Sequence, residues 1–187
     1  PFISKVATIT AVLNSVIAIK KFSKNSIEPV IINVAGEWNN FEDETKKENI
    51  KVINLTKSKI LNNKNYIGLI KSRMIYIYVS LISFFPLIRL LKRDQPEYFL
   101  IHLITPVPLI INSLFSFKTK FILRISGFPQ IKKNIFRYLF WKINLRNLNS
   151  ITCPTEGTTK LFKNFNFIDP KKINTISGGN INIKYFE

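Results

Sequence analysis

The chain holds one histidine, His102, and one cysteine, Cys153. They fall in different expected elements and no third soft ligand exists, so a zinc site or a Cys/His pair lacks material. A single cysteine also excludes an internal disulfide and a thiolate cluster. No metal and no cofactor is expected, and Cys153 reads as a small buried apolar group. What remains is polar chemistry at the ends of apolar runs. His102 closes the run Tyr98–His102. It reads either as a hydrogen-bonding or proton-handling group or as a histidine capping a loop carbonyl. Arg124 sits inside the apolar run 119–126, where an unpaired charge is costly, so it needs a partner. Ser126-Gly127 ends that run, and Gly127 permits positive φ, close backbone approach or a plain turn. Thr155 reads as a helix N-cap whose helix end could also receive an anion. Gly178-Gly179 follows a strand but no helix pattern opens after it, so it fits a hinge better than a phosphate loop. No residue is assigned a catalytic role.

The elements that must position these residues alternate in type. Val12, Val16 and Ile19, with Leu13 and Ile17, give helical spacing over 4–22. Pro29–Val34 is a short β-branched strand closed by Gly36, and Ile50–Leu55 is a second strand. Residues 37–48, polar and acidic, read as a surface loop, and 56–65 as another. Residues 66–93 form the longest apolar element. No charged side chain stands in the 15 residues from Met74 to Ile88, and Arg73 and Arg89 bracket them. A spanning helix needs about 20 apolar residues, so a buried core helix, kinked or broken near Pro86, is expected. Strands follow at 98–102, 119–126, 150–153 and 172–176. Helices are expected from Thr105-Pro106 to about Phe115, over 131–146, and from the Thr155 cap through Phe165.

Strands and helices thus alternate in units of roughly 20–35 residues, the signature of a parallel sheet. The fold class expected is α/β, a doubly wound Rossmann-like domain over 1–177, with 178–187 opening a linker. Such a domain normally begins with a central strand, and here a helix comes first. Pro1–Ser4 reads as the loop after such a strand, so the chain is expected to be a fragment. The strands at 29–34 and 98–102 should then flank a vacant slot.

Charge narrows the partners. Residues 1–48 hold six Lys/Arg and six Asp/Glu, while residues 49–187 hold 22 and five, so the whole net charge of +17 lies there. Such a field attracts phosphate on nucleic acid, anionic lipid or sugar nucleotide. The abundance of Lys, Ile, Asn and Phe also matches A/T-rich codons, which alone could supply much of the excess lysine. No helix-turn-helix, zinc or ribonucleoprotein signature is present. Lys5 and the polar Thr8, Thr10, Asn14 and Ser15 interrupt the first segment, unlike a secretory signal. With a reduced compartment as the default, the chain reads as cytoplasmic.

Several strings, taken in order, resemble the acceptor-side domain of glycosyltransferase family 4. These are retaining enzymes with two facing Rossmann-like domains, the GT-B fold. "KRDQPEYFLIHLITPVPL" (92–109) resembles the family's helix end, strand and His, with Pro96-Glu97 where Pro-Asp is usual. "TKFILRISGFP" (119–129) resembles the next strand and its glycine turn. "ITCPTEGTTKLF" (151–162) and "KKINTISGGNINIKYFE" (171–187) resemble the later strands, a capped helix and the passage to a second domain. The resemblance implies sugar transfer from a nucleotide-sugar donor to a glycan or glycolipid acceptor. The donor would be held by a second, C-terminal domain. Ser4, Lys5, His102, Arg124, Ser126 and Gly127 would serve the acceptor, and Gly178 and Gly179 the hinge. The family's His-Gly pair is replaced here by Ser126-Gly127, so a charge-neutralising role would pass to Arg124. A basic nucleic-acid-binding α/β module is the alternative.

Residues 131–146 interleave Phe136, Tyr138, Phe140 and Trp141 with Lys132, Lys133, Arg137, Lys142 and Arg146, without an acid. Such helices lie in anionic headgroup layers. Lys132, Lys133, Arg137 and Trp141 are therefore expected to face a membrane, which would put the chain on the inner face of the cell membrane. The competing reading packs the aromatics on the sheet and leaves the cations in water.

Overall fold

The structure, a computed structural model, describes residues 7–24, 26–61, 69–102, 106–127, 131 and 134–176. Strands and helices alternate along it and every pairing is parallel, so the protein is a Rossmann-like α/β chain. It divides into two compact units, Pro1–Leu87 and Ile88–Glu187.

In the first unit, α1 (Ala7–Phe22) turns Ile9, Val12 and Val16 inward. Their spacing places them on one helix face. They pack on Ile31 of β1 (Val30–Asn33), on Trp38 and on Ile50. Strand β1 pairs with β2 (Lys51–Asn54) from Val30↔Lys51 to Asn33↔Asn54. The stretch expected as a surface loop is instead built. Glu37 and Trp38 are buried, a 3-10 turn covers Asn39–Phe41, and α2 spans Glu42–Lys47. Acids in the first turn of α2 and lysines in its last suit the helix dipole, a pattern that composition alone conceals.

The end of β1 is tied by two buried polar side chains. Asn33 Nδ2 donates to the side-chain oxygens of Asn39 and Asn54, each at 2.8 Å. Its Oδ1 accepts from the backbone N–H groups of Gly36 at 3.1 Å and Trp38 at 3.2 Å. The Glu37 carboxylate accepts from Val34 N at 3.0 Å and Ala35 N at 2.7 Å. Gly36 holds φ at 92°, where a β-carbon is strained.

The long helix α3 (Leu69–Asp94) begins in the first unit and ends in the second. Pro86 lies inside it without ending it. The expectation of a buried core helix needs correcting. Val79 packs with Ala35 and Leu61, but six large apolar side chains along the helix are exposed.

The second unit adds β3 (Tyr98–His102), α4 (Pro106–Leu114), β4 (Lys120–Arg124), α5 (Ile135–Leu145), β5 (Ser150–Cys153), α6 (Glu156–Lys163) and β6 (Ile173–Thr175). Its sheet runs in the order β3-β4-β5-β6. Helix α5 starts later than expected, because Asn134 caps it by accepting from Arg137 N at 2.8 Å. Thr155 caps α6 as expected, accepting from Thr158 N. The expected Thr105 cap lies outside the described residues. Asn144, buried on α5, accepts from Ser113 Oγ of α4 at 2.9 Å and donates to Phe140 O at 2.7 Å. Strand β1 pairs with β2, and β3 with β4.

Asn33→Ala should therefore lower stability by about 3 kcal/mol, since it strands two buried N–H groups and two side-chain acceptors. Urea unfolding of the two proteins checks this. A midpoint unchanged within error would remove Asn33 as the tie of this turn.

Candidate functional site

In an open parallel sheet, ligands meet the carboxyl ends of the strands. In the second unit, His102 ends β3 and Arg124 ends β4, and the two are register partners. Arg124 is in turn the partner of Thr152 on β5, and Thr152 of Asn174 on β6. Register partners in a parallel sheet leave the same face. His102, Arg124, Thr152 and Asn174 therefore form one polar row across four strands. At ~4.8 Å per strand the row is about 14 Å long. The row one residue earlier, Ile101, Leu123, Ile151 and Ile173, leaves the opposite face and is buried.

The polar row is accessible in graded fashion. Asn174 is exposed, and His102, Arg124 and Thr152 are half-buried. Asn174 Nδ2 donates to Ser150 Oγ at 3.1 Å, and Ser150 Oγ donates to Lys172 O at 3.1 Å. The far end of the row is thereby oriented by protein groups. Burial, with the Arg124 guanidinium nearby, lowers the His102 pKa from 6.5 to about 4. At neutral pH the imidazole is thus uncharged and can both donate and accept a hydrogen bond. A neutral imidazole suits the hydrogen-bonding reading. The permanent cation in the row is Arg124.

Ser126 and Gly127 follow β4 directly and are exposed. Gly127 meets no atom within 4 Å of an added β-carbon and holds no positive φ. Among the described residues, then, neither a positive φ nor a close neighbour requires a glycine there. Ser4, Lys5, Lys132, Lys133, Gly178 and Gly179 lie outside the described residues. Cys153 is buried, and burial pushes its thiol pKa up, away from reactivity. Among the described residues no three His, Cys, Asp or Glu side chains gather to hold a metal.

Trp141 needs correction as a membrane-facing residue. It is 4% exposed and turned into the protein, because Asn144 and Leu145 share its side of α5 and are buried too. Arg137 is exposed, as are Ile135, Phe136, Leu139 and Ile143.

Thr152 and Asn174 were not singled out from the sequence. The signal for Thr152 was the alternation Ser-Ile-Thr-Cys at 150–153, with polar residues on one face and apolar residues on the other. By contrast, Asn33 at the end of β1 is saturated by protein groups, and the buried Glu37 carboxylate holds the backbone N–H groups of Val34 and Ala35, so both act as framework.

Compared by sequence with known proteins, the chain matches no family model and no curated protein.

Two outcomes are expected here. The folded chain resists a proton on His102 that the unfolded chain accepts below pH 6.5. Stability is therefore intact above pH ~6.5 and falls as the pH drops toward ~4, by about 3 kcal/mol in total. His102→Gln should flatten that part of a denaturation–pH profile, and a slope equal to that of the wild type would contradict the shift. Gly127→Ala should leave stability within about 0.5 kcal/mol of wild type or slightly raise it. A larger loss of melting temperature would show that the glycine is structurally required.

Proposed function

We propose that this chain is the acceptor-side part of a retaining, nucleotide-sugar-dependent glycosyltransferase of family 4. Its acceptor would be lipid-linked or polysaccharide, as in the building of a cell envelope. The observation that carries this reading is the polar row His102, Arg124, Thr152 and Asn174 at the carboxyl ends of parallel strands. A neutral imidazole, a hydroxyl and a carboxamide suit the hydroxyl groups of an acceptor sugar, exchanging hydrogen bonds without adding charge. The guanidinium suits the phosphate of a lipid-linked acceptor. The resemblance adds the order of strings along the chain and puts the residues holding the donor diphosphate on a second domain. Chemistry would then occur in a cleft between two domains, and no residue here is given a catalytic role.

The test is transfer by the full-length protein from UDP-, GDP- and ADP-sugars to a membrane lipid extract or soluble glycan. Arg124→Gln should raise the KM for acceptor about tenfold, with the KM for donor unchanged. The isolated 187 residues should turn over no donor. Neither transfer nor hydrolysis of any donor by the full-length protein would defeat the proposal. Turnover by the isolated chain would defeat the acceptor-side assignment. Salt-dependent binding to mixed-sequence DNA, without sugar transfer, would favour the nucleic-acid alternative.

A further inference from the structure

The outer face of α3 carries Ile70, Met74, Ile77, Tyr78, Leu81 and Phe85, and all six are exposed, Ile70 at 77% and Phe85 at 68%. At 3.6 residues per turn these positions fall within an arc of roughly 100°, forming a single stripe. From Ile70 to Phe85 the stripe is about 22 Å long. Exposed cations border it, Arg73 on one flank and Lys71 and Arg89 on the other. The opposite side of the helix is occupied. Val79 packs with Ala35 and Leu61, Ile75 packs against the same cluster, and Ser83 is buried.

By length and composition Ile70–Asp94 could cross a membrane, and among the described residues it is the one helix that could. Crossing would put both faces of the helix in lipid and remove Val79 and Ile75 from their cluster. One packed face and one bare apolar face with cationic flanks describe a helix lying in an interface. A second copy of the chain is a poorer occupant. Nine Lys/Arg and no acid stand between Glu48 and Asp94, so stripe-to-stripe pairing would bring like charges together.

We infer that the Ile70–Phe85 face of α3 is a membrane-docking surface that inserts its apolar stripe into a lipid layer with anionic headgroups. Lys71, Arg73 and Arg89 meet the headgroups, and Met74, Leu81 and Phe85 enter the acyl boundary. The inference does not rest on glycosyl transfer, because a peripheral protein of any activity would dock in this way. It also places the contact on α3 rather than on α5, whose Trp141 is buried.

The experiment is co-sedimentation of the protein with vesicles of phosphatidylcholine alone or mixed with phosphatidylglycerol. Binding should require the anionic lipid and weaken with added salt. Joint Met74→Gln, Leu81→Gln and Phe85→Gln should cut partitioning at least about tenfold with circular dichroism and melting unchanged. Joint Lys71→Gln, Arg73→Gln and Arg89→Gln should abolish the preference for anionic vesicles. Tyr78→Trp supplies a reporter beside the two native tryptophans, which are both buried. Its emission should move to the blue on addition of anionic vesicles. No binding by the wild type would overturn the inference. So would loss of binding on Phe136→Gln and Ile143→Gln in α5 but not on the α3 changes, or a dimer in solution that the α3 changes dissociate without any lipid binding.

Discussion

The parallel register of β3, β4, β5 and β6 is the constraint on which the candidate site depends. Ile101, Leu123, Ile151 and Ile173 align in one buried row, each contributing roughly 2 kcal/mol of apolar burial. A slip of one residue on any strand would turn its member of that row to the other face. The same slip would take His102, Arg124, Thr152 or Asn174 out of the polar row. The apolar row therefore determines which polar groups meet, although it touches no ligand itself.

The two units treat their strand ends in opposite ways. At the end of β1, Asn33 and Glu37 spend their hydrogen-bonding capacity on backbone N–H groups and on Asn39 and Asn54. Buried polar groups left unpaired are costly, and here both donors and both acceptor sites of Asn33 are spent within the protein. At the ends of β3 to β6 the polar groups stand half-buried to exposed, and His102 is kept uncharged beside Arg124.

Apolar content proved a weak guide to where a helix lies. Residues 131–146 looked membrane-facing by composition, and 66–93 looked like core. In the structure α5 buries Trp141, Asn144 and Leu145, while α3 leaves Ile70, Met74, Ile77, Tyr78, Leu81 and Phe85 bare. Both helices carry apolar residues almost all round. Periodicity then defines the angle between side chains but not which angle points inward. That choice belongs to the partner, Ala35 and Leu61 for one face of α3, and these residues are distant in the chain.

Local pattern alone was enough to identify the strands at 30–33, 51–54, 98–102, 120–124, 150–153 and 173–175 to within two residues at each end, and the Thr155 cap outright. These features rest on steric preferences of adjacent residues, which a sequence carries in full. It also brought out His102 and Arg124, because a polar residue closing or interrupting an apolar strand is visible locally. It did not bring out Thr152 or Asn174 as their neighbours, nor the burial of Glu37 and Trp38. Those facts depend on register and on contacts between segments far apart in the chain. No periodicity within one segment encodes them, and they exist once the strands are laid side by side.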